Sequence, residues 1–254
     1  MTSRRRVAPV RSLVILPTYQ EAENIVDVLG RARESLPEAD ILVVDDNSPD
    51  GTADLAEGAA SALGQISVMR RPGKAGLGSA YRAGFAEGLR EGYEVMFEMD
   101  SDLSHPPSSL PDLLAAVDEG GADLAIGSRY VPGGSIPNWP THRLLLSRWG
   151  NRYVNVALGL SVRDTTAGFR AYRASALETI GVDRIGAEGY AFQIEMTYAL
   201  SRAGGRITEV PIAFTDRIRG TSKMSGRIVA EAMLLVTWWA VRDRVLRRRG
   251  HLDA

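Results

Sequence analysis

Short apolar runs alternate with helix-like patterns through the first half of the chain. The apolar runs, rich in Val, Ile and Leu, lie at 12–16, 40–44, 66–69, 95–99 and 124–126. Amphipathic patterns typical of helices lie between them, at 24–36, 52–63, 77–89 and 107–117. Near-continuous apolar strands that alternate with helices favour a parallel sheet covered on both faces. The pattern therefore predicts an α/β fold with a mostly parallel, doubly wound sheet.

Beyond residue 128 the pattern is less regular. A loop at 132–140, further helices and a strand near 207–214 lead to a basic helix. We expect one domain over 1–226 and a basic amphipathic helix or tail over 227–254.

Polar side chains cluster where four of the predicted strands end. The segments that follow the first, second, fourth and fifth strands are 17–21, 45–47, 100–102 and 128–129. In open α/β sheets, ligands bind outside the carboxyl ends of the strands. We therefore expect the functional site at this edge of the sheet.

Asp100 and Asp102 form the sharpest chemical feature, because the two carboxylates follow a strand and lie two residues apart. They can approach one divalent cation if the chain bends between them. Mg²⁺ and Mn²⁺ prefer oxygen ligands, and Mg²⁺ is commonly held by one or two carboxylates together with substrate phosphates. The alternative is a helix N-cap in a solvated turn. Asp45 and Asp46 at a neighbouring strand end favour the functional interpretation.

Two further segments have both a structural and a functional interpretation. Residues 45–52 contain three aspartates and end in turn signals, so they form a turn, bind the base or ribose of a nucleotide, or do both. Residues 70–78 precede a helix and either cradle phosphate at its N-terminus or make a tight turn. The segment is not a P-loop, and Tyr81 stands where a dinucleotide-binding motif requires its third glycine.

Composition excludes several classes of site. The chain has 254 residues, 44% hydrophobic and 24% charged, which is ordinary for a globular protein. Cysteine is absent, which excludes disulfide scaffolds, thiolate zinc sites, iron–sulfur clusters and cysteine nucleophiles. The three histidines lack metal-ligand spacing, and the G-x-S-x-G elbow of a hydrolase is absent from the sequence.

The net charge of −1 hides two basic ends. Residues 217–249 carry nine Lys and Arg against Glu231 and Asp243, and residues 4–6 are all Arg. The apolar stretch at 228–241 has about 14 residues, fewer than the ~18–20 that a membrane span needs. It either packs on the domain or lies in a membrane interface, with Trp at headgroup depth and Arg on anionic phosphates. The sequence shows no recognition motif for nucleic acid, so we expect no such partner.

The motifs occur together in one order, and in this order the sequence resembles the inverting GT-A glycosyltransferases of family 2. Within that family it is most similar to polyprenyl-phosphate (dolichyl-phosphate) mannose synthases, of a type without C-terminal transmembrane helices. The matching segments, spread over about 12–226, include Leu16-Pro17-Thr18-Tyr19, Val43-Val44-Asp45-Asp46, Gly76-Leu77-Gly78, Met99-Asp100-x-Asp102, Gly127-Ser128-Arg129-Tyr130, Asn138-Trp139-Pro140, Gly168-Phe169-Arg170, Gly189-Tyr190-x-Phe192-Gln193 and Arg217-x-x-Gly220-x-Ser222-Lys223.

The resemblance implies a GT-A fold, GDP-mannose as donor, a polyprenyl monophosphate as acceptor and Mg²⁺ or Mn²⁺ as cofactor. The residues implied for the donor are Pro17, Thr18, Tyr19, Glu21, Asp45, Asp46, Lys74, Asp100, Ser101, Asp102, Arg217 and Lys223. Those implied for the acceptor phosphate are Arg129, Arg143 and Ser147, and those for the metal are Asp100, Asp102 and Ser104. Relatives often carry Gln at the position of Ser104, so water is expected to complete the metal shell. Asp100, Asp102 and Arg129 are the expected catalytic residues.

A lipid acceptor would also explain the basic ends of the chain. We expect a peripheral enzyme at the cytoplasmic face of a membrane surface, with a membrane-protein partner left open. Two alternatives remain: transfer of glucose from UDP-glucose to the same lipid, and a non-catalytic scaffold that binds nucleotide sugars.

Overall fold

A seven-stranded mixed sheet forms the centre of the molecule. The computed structural model describes residues 10–216 and 226–250, the latter with side chains from 229 to 244. The strands are β1 Ser12–Thr18, β2 Asp40–Asp45, β3 Ile66–Arg70, β4 Val95–Glu98, β5 Leu124–Ser128, β6 Arg170–Arg173 and β7 Ile207–Pro211. They lie in the order β3-β2-β1-β4-β6-β5-β7. β6 runs antiparallel to β4 and β5, whereas the other neighbouring strands are parallel.

Eight helices surround the sheet in the part of the chain that the structure describes. They are α1 Ile25–Ser35, α2 Thr52–Leu63, α3 Leu77–Arg90, α4 Leu110–Asp118, α5 Thr141–Leu158, α6 Ala174–Ile180, α7 Gly189–Arg202 and α8 Gly226–Gly250. None of the helices described is long and apolar enough to cross a membrane.

The predicted mostly parallel, doubly wound sheet is confirmed. All elements predicted between 12 and 126 are present, with ends within three residues of those predicted. The short strand β6 was missed, because its buried Arg170 breaks the apolar pattern on which the prediction relied.

Strand β1 shows why the apolar runs are continuous. Its side chains alternate between two faces, as in any β-strand. Leu13 and Ile15 join one core cluster, which also contains Phe85 of α3. Val14 and Leu16 join a second cluster on the other face of the sheet. A strand covered on both faces needs apolar residues at every position, so the alternation of a half-exposed strand is absent.

Helix α8 packs on the domain through one of its faces. Ala232, Val236 and Trp239 are buried in a third apolar cluster with Val154 of α5 and Ile194 of α7. The packing interpretation of this segment is therefore confirmed for this face. The predicted division of the chain near residue 226 stays a prediction.

Gly84 of α3 lies against β1 and allows the helix to approach the sheet. A Cβ atom at this position would lie 2.6 Å from Cγ2 of Ile15, which is fully buried. By contrast, a Cβ at Gly58 of α2 would meet no atom within 4 Å. The two helical glycines therefore differ in the packing around them.

We predict opposite effects of alanine at these two glycines. Gly84→Ala should lower the free energy of unfolding by about 1–3 kcal/mol, because the added methyl overpacks the contact with Ile15. Gly58→Ala should raise it by about 0.5–1 kcal/mol, because alanine favours the helix. Urea unfolding of both variants measures the difference, and equal stabilisation of both would contradict the close packing of α3 on β1.

Candidate active site

A cavity of about 560 Å³ opens at the carboxyl ends of the parallel strands. The predicted site residues that line it are Pro17, Thr18, Tyr19, Glu21, Asp46, Lys74, Asp100, Ser101, Asp102, Ser104, Arg129 and Arg143. They come from segments far apart in sequence, and the parallel arrangement of β1, β2, β4 and β5 brings them together. The cavity therefore lies at the edge of the sheet where the site is expected, whereas the role of each residue stays a prediction.

Two predicted residues, Asp45 and Ser147, lie outside the cavity lining. Asp45 is buried behind the cavity lining, where it accepts hydrogen bonds from the Thr18 hydroxyl at 2.8 Å and the Ser48 amide at 2.8 Å. Ser147 lies on α5 outside the lining and accepts a hydrogen bond from the Tyr130 hydroxyl at 2.7 Å. Arg217 and Lys223 lie outside the described residues.

Asp46 is held at one end of the cavity. Arg71 donates to its Oδ1 at 2.7 Å, and the amide of Ala75 donates to its Oδ2 at 3.1 Å. Nearby, the ammonium of Lys74 lies 4.2 Å from the centre of the Tyr19 ring. An ordered carboxylate beside an aromatic ring suits hydrogen bonding and stacking of a base.

The start of α3 is closed by a side chain of the same protein. The Ser79 amide donates to Oε2 of Glu188 at 3.2 Å, and Arg82 forms an ion pair with the same carboxylate. Gly76 has a φ of +99°, and a Cβ there would clash with Glu188. Glu188 thus occupies the position that a phosphate would take at this helix N-terminus, and the phosphate cradle stays a prediction. The tight turn accounts for the glycines.

Asp100 and Asp102 follow β4 at the floor of the cavity. Ser104 donates to Oδ1 of Asp102 from its amide at 3.0 Å and from its hydroxyl at 2.6 Å. The hydroxyl of Tyr81 lies 3.5 Å from Oδ1 of Asp100. The two carboxylates are thus oriented by neighbouring donors, and Ser104 contacts Asp102 directly.

His105 supports the backbone of this acidic turn. Its Nδ1 accepts from the Asp100 amide at 3.3 Å, and its ring stacks on Phe169 with 5.3 Å between centroids. Burial lowers the pKa of His105 to about 4. Sequence spacing gave no sign of this role, because the contact depends on the fold.

The acidic turn fits a hard divalent cation only in part. Carboxylate and hydroxyl oxygens have the chemistry that Mg²⁺ and Mn²⁺ prefer. Residues 10–216 and 226–250, as far as their side chains are described, contain no group of three or more His, Cys, Asp or Glu that could hold a metal. A cation bound by Asp100 and Asp102 would therefore take its other ligands from substrate oxygens or water.

Arg129 also lines the cavity and is 9% exposed. Its Nε and Nη2 donate to the buried carboxylate of Asp164 at 2.7 and 2.6 Å, and Nη2 donates also to Thr166 at 2.9 Å. The centroids of the Tyr130 and Phe214 rings each lie 5.4 Å from the guanidinium carbon. Asp164 thus compensates the buried charge. Asp164 was missed because it follows no predicted strand.

Arg143 is the more exposed of the two predicted acceptor arginines, with 37% of its side chain accessible. Its guanidinium carbon lies 3.9 Å from the centroid of Trp139. Its Nη1 donates to Asp216 at 3.1 Å, and the indole of Trp139 donates to the same carboxylate at 2.8 Å. Asp216 and Trp139 therefore orient a guanidinium at the cavity rim.

A buried polar cluster lies beneath the cavity. Glu98 is fully buried, and this burial raises the pKa of its carboxyl to about 7, although the Arg170 cation acts in the opposite direction. Arg170 is also fully buried, and it donates to the carbonyls of Thr165, Ala167 and Gln193 and to the hydroxyls of Tyr172 and Thr197. Sequence patterns did not indicate this cluster.

Comparison with known proteins agrees with this geometry. Residues 13–181 match the profile of glycosyl transferase family 2. The polyprenol monophosphomannose synthase of Mycolicibacterium smegmatis is 52% identical over 241 residues, which cover 94% of this chain and 91% of that protein. The undecaprenyl-phosphate mannosyltransferase of Micrococcus luteus is 52% identical over 235 residues, 92% of this chain and 96% of that protein.

A solved structure shows the same fold. The mannosyltransferase of Pyrobaculum calidifontis in complex with GDP-Man and Mn²⁺ matches with a TM-score of 0.63 at 18% identity, over 93% of this chain and 67% of that one. The expected GT-A architecture is thereby confirmed. The profile match covers more than half of the chain and the two relatives match it over nearly their whole length, so the chain belongs to glycosyl transferase family 2.

Proposed function

We propose that the protein transfers mannose from GDP-mannose to a polyprenyl monophosphate, with inversion at the anomeric carbon. One observation carries the proposal: a single cavity is lined by two carboxylates, Asp100 and Asp102, and by two arginines, Arg129 and Arg143. This arrangement suits a donor diphosphate with a cation next to an anionic acceptor. The 52% identity to two polyprenyl-phosphate mannosyltransferases supports the choice of sugar and lipid.

The donor would lie along β1, β2 and β4. Tyr19 and Asp46 are arranged for the nucleoside, with Pro17, Thr18, Glu21 and Lys74 beside them. Asp100 and Asp102, supported by Ser104, would hold Mg²⁺ or Mn²⁺, which when bound neutralises charge on the leaving diphosphate. Arg217 and Lys223 stay predicted contributors to the same charge compensation.

The chemistry needs little proton transfer. An acceptor phosphate oxygen attacks the anomeric carbon from the face opposite GDP, the bond to the GDP oxygen breaks, and GDP leaves with the electron pair. The sugar passes through an oxocarbenium-like state, as in glycoside chemistry generally. A phosphate monoester, with a second pKa near 6, is already largely anionic at pH 7. The acceptor can therefore attack without a strong general base.

The acceptor phosphate would meet the two arginines in different ways. Arg129 is already compensated by Asp164, so it contributes a fixed and buried cation. Arg143 uses only Nη1 in its described contacts with Asp216 and lies at the rim. Charge-assisted hydrogen bonds from such a guanidinium suit a phosphate.

A surface beside the rim fits the lipid part of this proposal. Helices α5 and α8 pack together, with the Tyr153 and Thr237 hydroxyls 2.7 Å apart. The exposed apolar residues of this α5–α8 face are Leu145, Leu146, Trp149 and Val156 on α5 and Leu234, Trp238 and Val241 on α8. On each helix they recur at three- and four-residue spacing, which produces one stripe per helix.

The chemistry of the α5–α8 face favours the surface of an anionic bilayer. Four exposed arginines, Arg148, Arg152, Arg242 and Arg244, accompany the stripe, against the single exposed acid Glu231 on the described part of α8. Arg242 stacks on Trp238 at 4.8 Å. Trp and Arg beside an apolar stripe are typical of helices that lie in a membrane interface. Since Arg143 precedes Leu145 on α5, docking this face would bring the cavity rim to the headgroup layer.

We predict that purified protein makes mannolipid from radiolabelled GDP-mannose and a short polyprenyl phosphate only with Mg²⁺ or Mn²⁺. Asp102→Asn should lower the rate at least about 100-fold, because one carboxylate that would hold the cation, and so the charge compensation on the leaving diphosphate, is lost. Asp112→Asn, on an exposed position of α4, is the matched control and should keep the rate.

Undiminished transfer in EDTA would exclude the metal, and faster transfer from UDP-glucose would favour the glucosyl alternative. GDP-mannose binding without turnover on any acceptor would favour the scaffold.

We predict that Arg143→Gln raises the KM for the acceptor about 10- to 100-fold, because a charge-assisted contact to phosphate is lost. Steady-state kinetics with varied acceptor measures this, and GDP affinity should stay within about twofold. Arg31→Gln removes a similarly exposed, ion-paired arginine from α1 and is the control. An unchanged acceptor KM would remove Arg143 from the acceptor site.

We predict that the protein co-sediments with vesicles that contain anionic lipids and only weakly with neutral vesicles. Salt should reduce the bound fraction. The double variant Leu145→Gln, Trp149→Gln should lower the bound fraction severalfold, since apolar area leaves the interface. The matched control is Val26→Gln, Leu55→Gln, which changes exposed apolar residues of α1 and α2. Equal loss in both double variants would contradict docking through the α5–α8 face.

A further inference from the structure

Trp139 contacts both arginines predicted for the acceptor phosphate, and the proposed chemistry has not given it a role. The residue lines the cavity, as the two arginines do. The guanidinium carbon of Arg143 lies 3.9 Å from the centroid of the Trp139 ring, and that of Arg129 lies 5.8 Å from it. The two guanidinium carbons are therefore no farther apart than these two distances together, and one aromatic ring connects them.

The ring of Trp139 is itself held in place. Its indole nitrogen donates to Oδ1 of Asp216 at 2.8 Å. The ring also makes a T-shaped contact with Phe214, with 5.9 Å between the centroids. Phe214 is tied to the loop that contains Trp139, because its amide donates to the carbonyl of Ser135 at 2.9 Å. The ring therefore offers the two guanidinium groups a fixed surface.

Each arginine keeps a donor that its contacts with the protein do not use. Arg129 donates to Asp164 and Thr166 from Nε and Nη2. Among the described residues, its Nη1 makes no hydrogen bond, and it is not one of the buried polar atoms without a partner, so it is accessible. Arg143 donates to Asp216 from Nη1, which leaves Nε and Nη2 outside its described contacts. Both side chains can therefore donate to an anion in the cavity.

An aromatic ring suits the task of holding two cations close together. The face of an indole attracts a guanidinium, more strongly than that of any other aromatic side chain. It accepts no conventional hydrogen bond in doing so, and the donors stay available. A carboxylate placed between the two groups would occupy those donors instead. A phosphate monoester has several oxygens and a charge near −2, so it can accept from both guanidinium groups at once.

We propose that Trp139 is a positioning residue of the acceptor site, which holds Arg129 and Arg143 so that both donate to one phosphate monoester. The inference rests on the proposed function, in which the acceptor is a lipid monophosphate. Trp139 acts through the two guanidinium groups and does not touch the reacting atoms. Its substitution should therefore weaken binding of the acceptor and leave binding of the donor unchanged.

Two substitutions of Trp139 test the proposal. Trp139→Leu removes the ring, and we expect it to raise the KM for a short polyprenyl phosphate about 3- to 30-fold. The KM for GDP-mannose should stay within about twofold. Trp139→Phe keeps a ring face and loses the indole nitrogen, so it should recover part of the loss. Steady-state kinetics with each substrate varied in turn measures these values, and a rise in the KM for GDP-mannose as large as that for the acceptor would overturn the proposal.

Tyr93 provides a matched control at the amino ends of the strands, away from the cavity. The guanidinium carbon of Arg11 lies 4.5 Å from the centroid of its ring, and its hydroxyl donates to Asp40 at 2.7 Å. Tyr93→Leu thus removes the same kind of ring from beneath an arginine, together with a hydrogen bond to an aspartate. It should leave the acceptor KM unchanged. An equal rise in Tyr93→Leu and Trp139→Leu would assign the effect to general loss of packing and overturn the proposal.

A double-mutant cycle distinguishes a role through the arginines from a direct contact with the lipid. If the ring acts through Arg143, adding Trp139→Leu to Arg143→Gln should raise the acceptor KM by less than Trp139→Leu does alone. Fully additive effects would overturn the proposal, because the ring would then act on the substrate independently of the guanidinium.

Binding without turnover separates this role from the proposed function. Calorimetric titration of a short polyprenyl phosphate in the presence of GDP measures acceptor binding and needs no transfer. If wild type binds the lipid phosphate and transfers no sugar, the proposed function is wrong, and the dissociation constants of the Trp139 and Tyr93 variants decide the role of Trp139. If wild type neither binds the lipid phosphate nor uses it as acceptor, both the proposed function and the role of Trp139 are overturned.

Discussion

The geometry of the cavity depends on the hydrogen bonds that the buried guanidinium of Arg170 donates. The residue lies in β6, which is antiparallel to both of its neighbouring strands, and its guanidinium is fully buried. Its donors satisfy the carbonyls of Thr165 and Ala167, and so fix the segment that presents Thr166 to Arg129. The same guanidinium reaches the carbonyl of Gln193 on α7. One cation therefore connects the segment beside Arg129, the strand next to Glu98 and helix α7.

The parts of the fold that sequence could predict are those with a simple repeating cause. Continuous apolar runs such as 40–44 reflect strands buried on both faces, and helices between them must cover those faces. Asp46 and Asp100 could be placed near each other because parallel strands end at one edge. The strand β6 could not be predicted in this way, since its burial of Arg170 contradicts the rule that charged residues are exposed.

The residues that contact the site residues could not be predicted from the sequence, for a different reason. Asp164 and Glu188 lie in irregular segments, and each compensates a charge or caps a helix contributed by a distant part of the chain. No periodicity marks such a contact, because it depends on how loops are placed and not on which face of an element is buried.

Helix α8 has a consequence for how such a protein can be attached to a lipid surface. Its inner residues Val236 and Trp239 belong to a core cluster, whereas its outer residues Leu234 and Trp238 are open to solvent. The same turns of helix thus serve folding and surface chemistry at once. A separate tail could be shortened or exchanged without disturbing the domain. Here, losing the outer stripe together with its helix would uncover apolar surface on α5 and α7, so the proposed lipid attachment could not be lost without disturbing the fold.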